Sequence, residues 1–254
     1  MMDWMWVVYA GLAGLVLGSF YNVVGLRVPE GIPFTGKERS RCPACGHTLT
    51  AVELIPLLSW VMQRGRCRHC QAGISVKYPL FELTTGLLFA YSFYHFGWSI
   101  ELAVALLFVS MLVIITVSDL ATMLIPDKVL IVFGIPILLL RFTFAPLDPW
   151  WLSILGALIG FGILFLLAVV SRGGMGGGDI KLYFVIGLVL GPAATVLSLF
   201  LAAFIGLIFG LPARLSGKAK KGTPIPFGPF IALGALVAYF FGTELILWYT
   251  SLLL

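Results

Sequence analysis

The sequence predicts an all-α fold: a polytopic transmembrane helical bundle of about eight spans with a small stapled loop on one side. Three observations predict it. Of 254 residues, 60% are hydrophobic and only 11% charged, and mean hydropathy is +1.06, where a soluble domain carries about 25% charged residues. A soluble globule, a disordered chain and a secreted disulfide scaffold are thereby excluded. The apolar runs are too long and too rich in Leu and Phe for barrel strands, and a bilayer core admits only helices or closed barrels. The net charge of +5 comes from cations gathered between the runs, which marks one side of a membrane.

The uncharged runs are 4–26, 83–100, 102–118, 129–140 (continuing past Arg141), 149–171, 182–213 and 222–243. About 20 apolar residues cross a bilayer core, so most runs make one crossing. As one straight helix, 182–213 would extend about 48 Å at 1.5 Å per residue, against a core of roughly 30 Å. Gly191-Pro192 breaks it, because proline removes a donor and clashes with the preceding turn. Two spans are expected there. With Met1 outside, eight spans place 27–79, 119–128, 172–181 and 212–225 in the cytoplasm. Every Lys and Arg except Arg141 then lies on that side, as the positive-inside rule requires. The N-terminus carries Asp3, no basic n-region and a long apolar stretch, so it reads as a first span and not a cleavable signal. The expected organisation is a first span in 1–26, a cytoplasmic loop in 27–79 and a core of about seven spans in 80–254. The partner implied is the lipid bilayer of a cell membrane; the cations flank spans, and no nucleic acid is expected to bind directly.

All four cysteines lie in the loop, as Cys42-Pro-Ala-Cys45 and Cys67-Arg-His-Cys70, with 21 residues between the pairs. Two C-x2-C knuckles offer four thiolates to one ion. Zinc takes that tetrahedral sulfur set, and a closed set is structural. A loop this small needs such a staple. Two disulfides are the other reading, which a reducing cytosol disfavours. His47 and His69 flank the knuckles as substitutes for a thiolate.

Most of the eleven acids sit in loops or at span ends and read as solvated charge; Glu53 is among them. Glu82 opens the second expected span and reads as a helix-dipole partner. Asp119 and Asp179 differ. Asp119 ends the third span, and Asp179 follows Gly176-Gly177-Gly178 just before the sixth. Ionisable residues against apolar spans are costly and mark function. Span parity puts both at the same face. Two neighbouring carboxylates share one proton, and such a pair can activate water against an amide. The glycines from Gly173 to Gly178 allow a second extended chain to approach closely, which makes Gly176, Gly177 and Gly178, with Lys181 just beyond, candidates for a substrate groove. Asp127, after Pro126, is expected to cap the fourth span and is a further supporting candidate.

Taken in order, these motifs resemble the type IV prepilin leader peptidases, a family of membrane aspartyl proteases. Gly18-Ser-Phe-Tyr-Asn-Val-Val24 is similar to its first-span motif and the paired knuckles to its cytoplasmic zinc loop. Glu53-Leu-Ile-Pro-Leu-Leu-Ser-Trp60 and Ile74-Ser-Val-Lys-Tyr-Pro-Leu-Phe-Glu-Leu83 resemble the flanking segments. Asp119 with Leu124-Ile-Pro-Asp127, Gly176-Gly-Gly-Asp-Ile-Lys-Leu182 and Pro226-Phe-Gly-Pro-Phe230 complete the series. The resemblance implies a catalytic dyad of Asp119 and Asp179. It implies prepilin or pseudopilin substrates, cut after a short basic leader at the cytoplasmic membrane face. Methylation of the new N-terminus with S-adenosylmethionine is a second implied activity. The competence-type members of Gram-positive bacteria are the subgroup it resembles. The basic leader meets a basic face, and Glu30, Glu38, Glu53 and Glu82 are the acids expected to offset that repulsion. An ion-coupled transporter is the alternative, since it too uses membrane aspartates, but near the midplane.

Overall fold

The computed structural model describes residues 4–33, 39–172, 174–215 and 226–252. Its long elements are all helical: α1 (Trp4–Arg27), α2 (Leu58–Met62), α3 (Lys77–Phe96), α4 (Ile100–Thr122), α5 (Asp127–Thr143), α6 (Leu152–Val170), α7 (Gly177–Leu215) and α8 (Gly228–Ser251). Five of them, α1, α4, α6, α7 through Phe209, and α8, are long and apolar enough to cross a membrane. The expected eight crossings are therefore not confirmed. α5 has 17 residues, α3 carries Lys77, Glu82 and His95, and α7 counts once. The expected loop at 212–225, with Lys218, Lys220 and Lys221, falls mainly outside the described residues, as do Lys37, Glu38 and Gly173. The chain divides into two compact units, Met1–Val117 and Ser118–Leu254.

In the first unit α1 crosses α3 through small residues. A Cβ on Gly14 would stand 2.8 Å from the Thr85 carbonyl oxygen, and one on Gly18 would stand 2.9 Å from the Thr85 Cβ. This is the small-residue contact that lets membrane helices approach. Tyr21 and Ser110 join α1 to α4 by a 2.7 Å hydroxyl contact. The long loop is tied to α3 by Glu82. That side chain lies inside α3, buried, and its Oε2 accepts the Leu57 N–H at 2.8 Å. Glu82 is thus no helix-opening dipole partner but the anchor of a loop residue held at φ +60°.

The second unit is built around α7. α6 meets it where Gly156 faces the Gly187 carbonyl and Gly160 the Tyr183 carbonyl. At Gly191 the backbone turns to φ 71°, ψ 179°, and Pro192 follows without an N–H. The expected break is present, as an interruption within one element. Helix breaks inside a bilayer survive only where freed carbonyls find donors. Arg141 supplies one: it is 2% exposed, and its Nη2 donates to the Val189 carbonyl and its Nη1 to that of Ala145, both at 3.0 Å. Arg141→Leu should destabilise the protein by about 2–4 kcal/mol, visible as a lowered melting temperature in detergent.

Candidate active site

Asp119 sits in the last full turn of α4, in the part that belongs to the second unit. Its side chain is buried, at 6% exposure. The helix stops soon after it: Met123 takes φ +56°, its N–H donates to the Asp119 carbonyl at 2.9 Å, and the Ser118 hydroxyl donates to the Leu124 carbonyl at 2.6 Å. Gly228, the first residue of α8, donates its backbone N–H to Asp119 Oδ2 at 2.7 Å. That charge-assisted bond fixes one carboxylate oxygen.

Asp179 stands in the first turn of α7 and is half-buried. Its N–H donates to the Gly176 carbonyl at 3.1 Å, and the Gly176 backbone lies against its carboxyl. The Asp119 charge is felt at Asp179, and the connection that follows the Asp119 helix packs against Gly178, next to Asp179. Gly178 makes that approach possible. A Cβ there would lie 2.8 Å from the Ile125 Cβ, so the chain that the glycine admits is the Leu124–Pro126 connection of this protein. Gly177 faces open space. One turn beyond Asp179, Tyr183 is fully buried against Ser198 and within reach of the Asp179 charge.

Asp127 does not cap α5. Pro126 occupies the cap position without a side-chain bond, and the Asp127 carboxylate instead accepts two hydrogen bonds from Lys181 Nζ, at 2.9 and 2.7 Å. The pair is more than half exposed on both sides.

The cysteines form a separate site in the first unit. Each pair lies in a tight turn of the same build: Arg41 bridges Thr48, and Arg66 bridges Gly73. Cys42 N–H donates to the His47 carbonyl and Cys67 N–H to the Ala72 carbonyl, at 2.9 and 2.8 Å. The four sulfurs lie within 4.8 Å of one another and are free thiols. They form a group able to bind a metal ion. A tetrahedral set with metal–sulfur bonds of about 2.3 Å spaces its sulfurs about 3.8 Å apart; Cys42 and Cys70 stand 3.8 Å apart. The backbone N–H groups of Cys45 and Ala44 turn to the Cys42 sulfur and lower its thiol to about 7, which favours the thiolate that binds metal. No histidine is needed in the set. His47 instead lies against His69 with the rings tilted and centroids 3.8 Å apart, and meets Glu53 at 3.3 Å.

Glu53 is buried. Its Oε2 accepts the Thr50 N–H and hydroxyl at 2.9 Å each, and these bonds hold its carboxyl down at about 2. Its charge stabilises the loop above the ordinary value of 4.5, and that contribution is lost as pH falls toward 2. Glu53 and Glu82 are thus engaged inside the protein and do not face a basic leader. Glu30 is exposed, and Glu38 lies outside the described residues.

Two expected results follow for the knuckles. Cys42→Ser or Cys67→Ser should cut bound metal from about one ion per chain toward none and loosen the loop, as read by elemental analysis and limited proteolysis. The equivalent turn positions are Gly46 at φ +71° and Gln71 at φ +59°. Gly46→Gln should cost about 1 kcal/mol and Gln71→Gly should shift the other way, both measured by competition with a chelator.

Sequence reasoning did not assign Gly228. Its signal was present in Pro226-Phe-Gly-Pro, a glycine held between prolines at a helix start.

Residues 12–96 match the family model described as the bacterial peptidase A24 N-terminal domain, and residues 106–211 match the type IV leader peptidase family. A protein of Bacillus subtilis (strain 168) is 44% identical over 241 residues, covering 95% of this chain and 96% of the relative. Proteins of Aeromonas salmonicida (strain A449) and Stutzerimonas stutzeri are 34% and 35% identical, covering 100% and 94% of this chain and 97% and 92% of their own lengths. All three carry the name prepilin leader peptidase/N-methyltransferase. No solved structure matches the chain. With both halves of the sequence matched in order, and with relatives alike over almost their whole length, this chain belongs to the type IV leader peptidase family.

Proposed function

We propose that this membrane protein is an aspartyl endopeptidase that removes the leader of prepilins or pseudopilins, with Asp119 and Asp179 as its catalytic pair. What supports the reading is a pair of acids at helix ends, near enough for the Asp119 charge to act on Asp179, with Asp119 bonded to the Gly228 N–H. The pair holds one proton between two acids. The ionised partner takes a proton from a water molecule whose oxygen bonds to the scissile carbonyl carbon. The protonated partner gives its proton to the amide nitrogen as the carbon–nitrogen bond breaks. A leader carboxylate and a new ammonium result. Asp119 and Asp179 occupy terminal turns of their helices, the depth at which an apolar substrate helix emerges, whereas a transport site would lie near the midplane.

The four cysteines are the ligands of a structural zinc ion in this reading; bound zinc supplies a tetrahedral cross-link of the loop. With Met1 outside, the loop and both aspartates lie on the cytoplasmic side, where the basic flanks belong. The relatives' names also imply a methyl transfer from S-adenosylmethionine to the new N-terminus.

The test is purified protein incubated with a prepilin, with and without S-adenosylmethionine, followed by mass measurement of the products. Loss of the leader in both, with the increment of one methyl group only when the donor is present, is expected. Intact prepilin in both would overturn the reading.

A further inference from the structure

Part of the cysteine-bearing loop lies alongside the α1–α3 pair and not beyond its end. The two helices run antiparallel. A Cβ on Gly11 would stand 3.4 Å from the Ala90 Cβ, and one on Gly18 would stand 3.0 Å from the Glu82 Cα. Nearer the end of α1, Asn22 Nδ2 donates to the Tyr78 carbonyl at 3.3 Å. Glu82 is therefore level with Gly18, nine residues before Arg27, where α1 ends. That drop is about 13 Å at 1.5 Å per residue. Glu82 Oε2 accepts the Leu57 N–H at 2.8 Å. A glutamate side chain with its hydrogen bond is shorter than the drop, so the chain at Leu57 stays below the level of Arg27. α1 is long and apolar enough to cross a membrane. Its 24 residues extend about 36 Å, so a core of roughly 30 Å begins close to Arg27. The level of Leu57 falls at that boundary or within it.

We propose that α2 dips into the bilayer surface, with Leu58, Val61 and Met62 seated among the lipid acyl chains, and so docks the cysteine-bearing loop on the membrane. Two further observations carry it. The first is the backbone of the dip. The Ile55 N–H donates to the Val52 carbonyl at 3.5 Å, that of Leu58 to Pro56 at 2.6 Å and that of Ser59 to Ile55 at 3.1 Å. Pro56 has no N–H, and Leu57 gives its own to Glu82. Each N–H from 55 to 59 thus has a partner inside the protein, which is the condition for irregular backbone at membrane depth. The second is the side chains. Leu58, Val61 and Met62 are 60, 63 and 75% exposed, an outward apolar face of the kind that interfacial helices bury in lipid. The cations stand on the Arg27 side of the dip. Arg64 and Arg66 are exposed and flank Gly65, whose carbonyl accepts the Ile74 N–H at 2.7 Å just before α3. Exposed Lys77 opens α3. Anionic lipid phosphates lie at that level. The Trp60 indole N–H, bonded to the Ile74 carbonyl at 3.2 Å, takes the interfacial place of a membrane tryptophan. This docking is independent of the peptidase reading.

The test places a fluorescent coumarin amino acid at one position of the full chain, reconstituted in vesicles of phosphatidylglycerol and phosphatidylcholine. The positions are 58 and 62 in the dip, 16 on the exposed face of α1, and 30, exposed just past its end. Quenching by lipids brominated on the acyl chain is compared with quenching by aqueous iodide. Positions 58 and 62 should follow position 16, with acyl-bromine quenching about threefold or more above that at position 30 and weak quenching by iodide. Iodide quenching at 58 and 62 equal to that at 30 would overturn the docking. So would loss of their lipid quenching when a prepilin is added, which would give the face to the substrate. Iodide quenching at position 16 would place α1 outside the bilayer and overturn it too.

Discussion

Asp119→Asn and Asp179→Asn should each slow prepilin cleavage by roughly a thousandfold or more. Asparagine keeps the shape of the side chain and can still accept the Gly228 N–H, so the bond at 2.7 Å and the packing around a buried residue survive. What is lost is the ability to hold or accept a proton beside the scissile amide. Protein yield and melting temperature should therefore stay near those of the parent while turnover collapses. Rates measured on equal amounts of folded protein check this, and near-parental cleavage by either variant would count against the pair.

Gly228→Ala should cost about a hundredfold in turnover. The added Cβ would stand 2.8 Å from Asp119 Oδ2 and 3.0 Å from the Asp119 Cβ, closer than real carbon atoms pack. Either the carboxyl rotates away or the start of α8 retreats, and both break the hydrogen bond that fixes the acid. The expected signature is a fall in kcat with a small change in KM, since the altered contact touches the reacting group. Gly162→Ala is the matched control. Its Cβ meets nothing within 4 Å, so activity should hold.

Much of this site is written in local pattern. Cys42, Cys45, Cys67 and Cys70 stand in two short motifs, and their gathering follows from spacing and the chemistry of sulfur. Asp119 and Asp179 stand out because charge is scarce near apolar runs. The break at Gly191 follows from a glycine before a proline. The other features depend on partners distant in sequence. Gly228 touches Asp119 across 109 positions. Glu82 reads as a charge at a helix start until the Leu57 N–H, 25 positions away, is seen to bind it. Glu53 is the local exception: Thr50 and His47, 3 and 6 positions away, close around it in a turn that carries no sequence pattern of its own. Arg141 looks like a stray cation in an apolar run, and its use depends on a carbonyl opened by the break in a different helix. The span count of eight is not confirmed. The uncharged runs 83–100 and 129–140 mark α3 and α5 as crossings, whereas among the described residues five other helices are long and apolar enough to cross.

The most direct test of the account is the rate of prepilin cleavage by the double variant Asp119→Asn/Asp179→Asn beside the two single variants. If the acids work as one unit around a shared proton, the double variant is no slower than the worse single one, because the first substitution already disables the unit. Independent, multiplying losses, or a single variant that retains the parental rate, would contradict it.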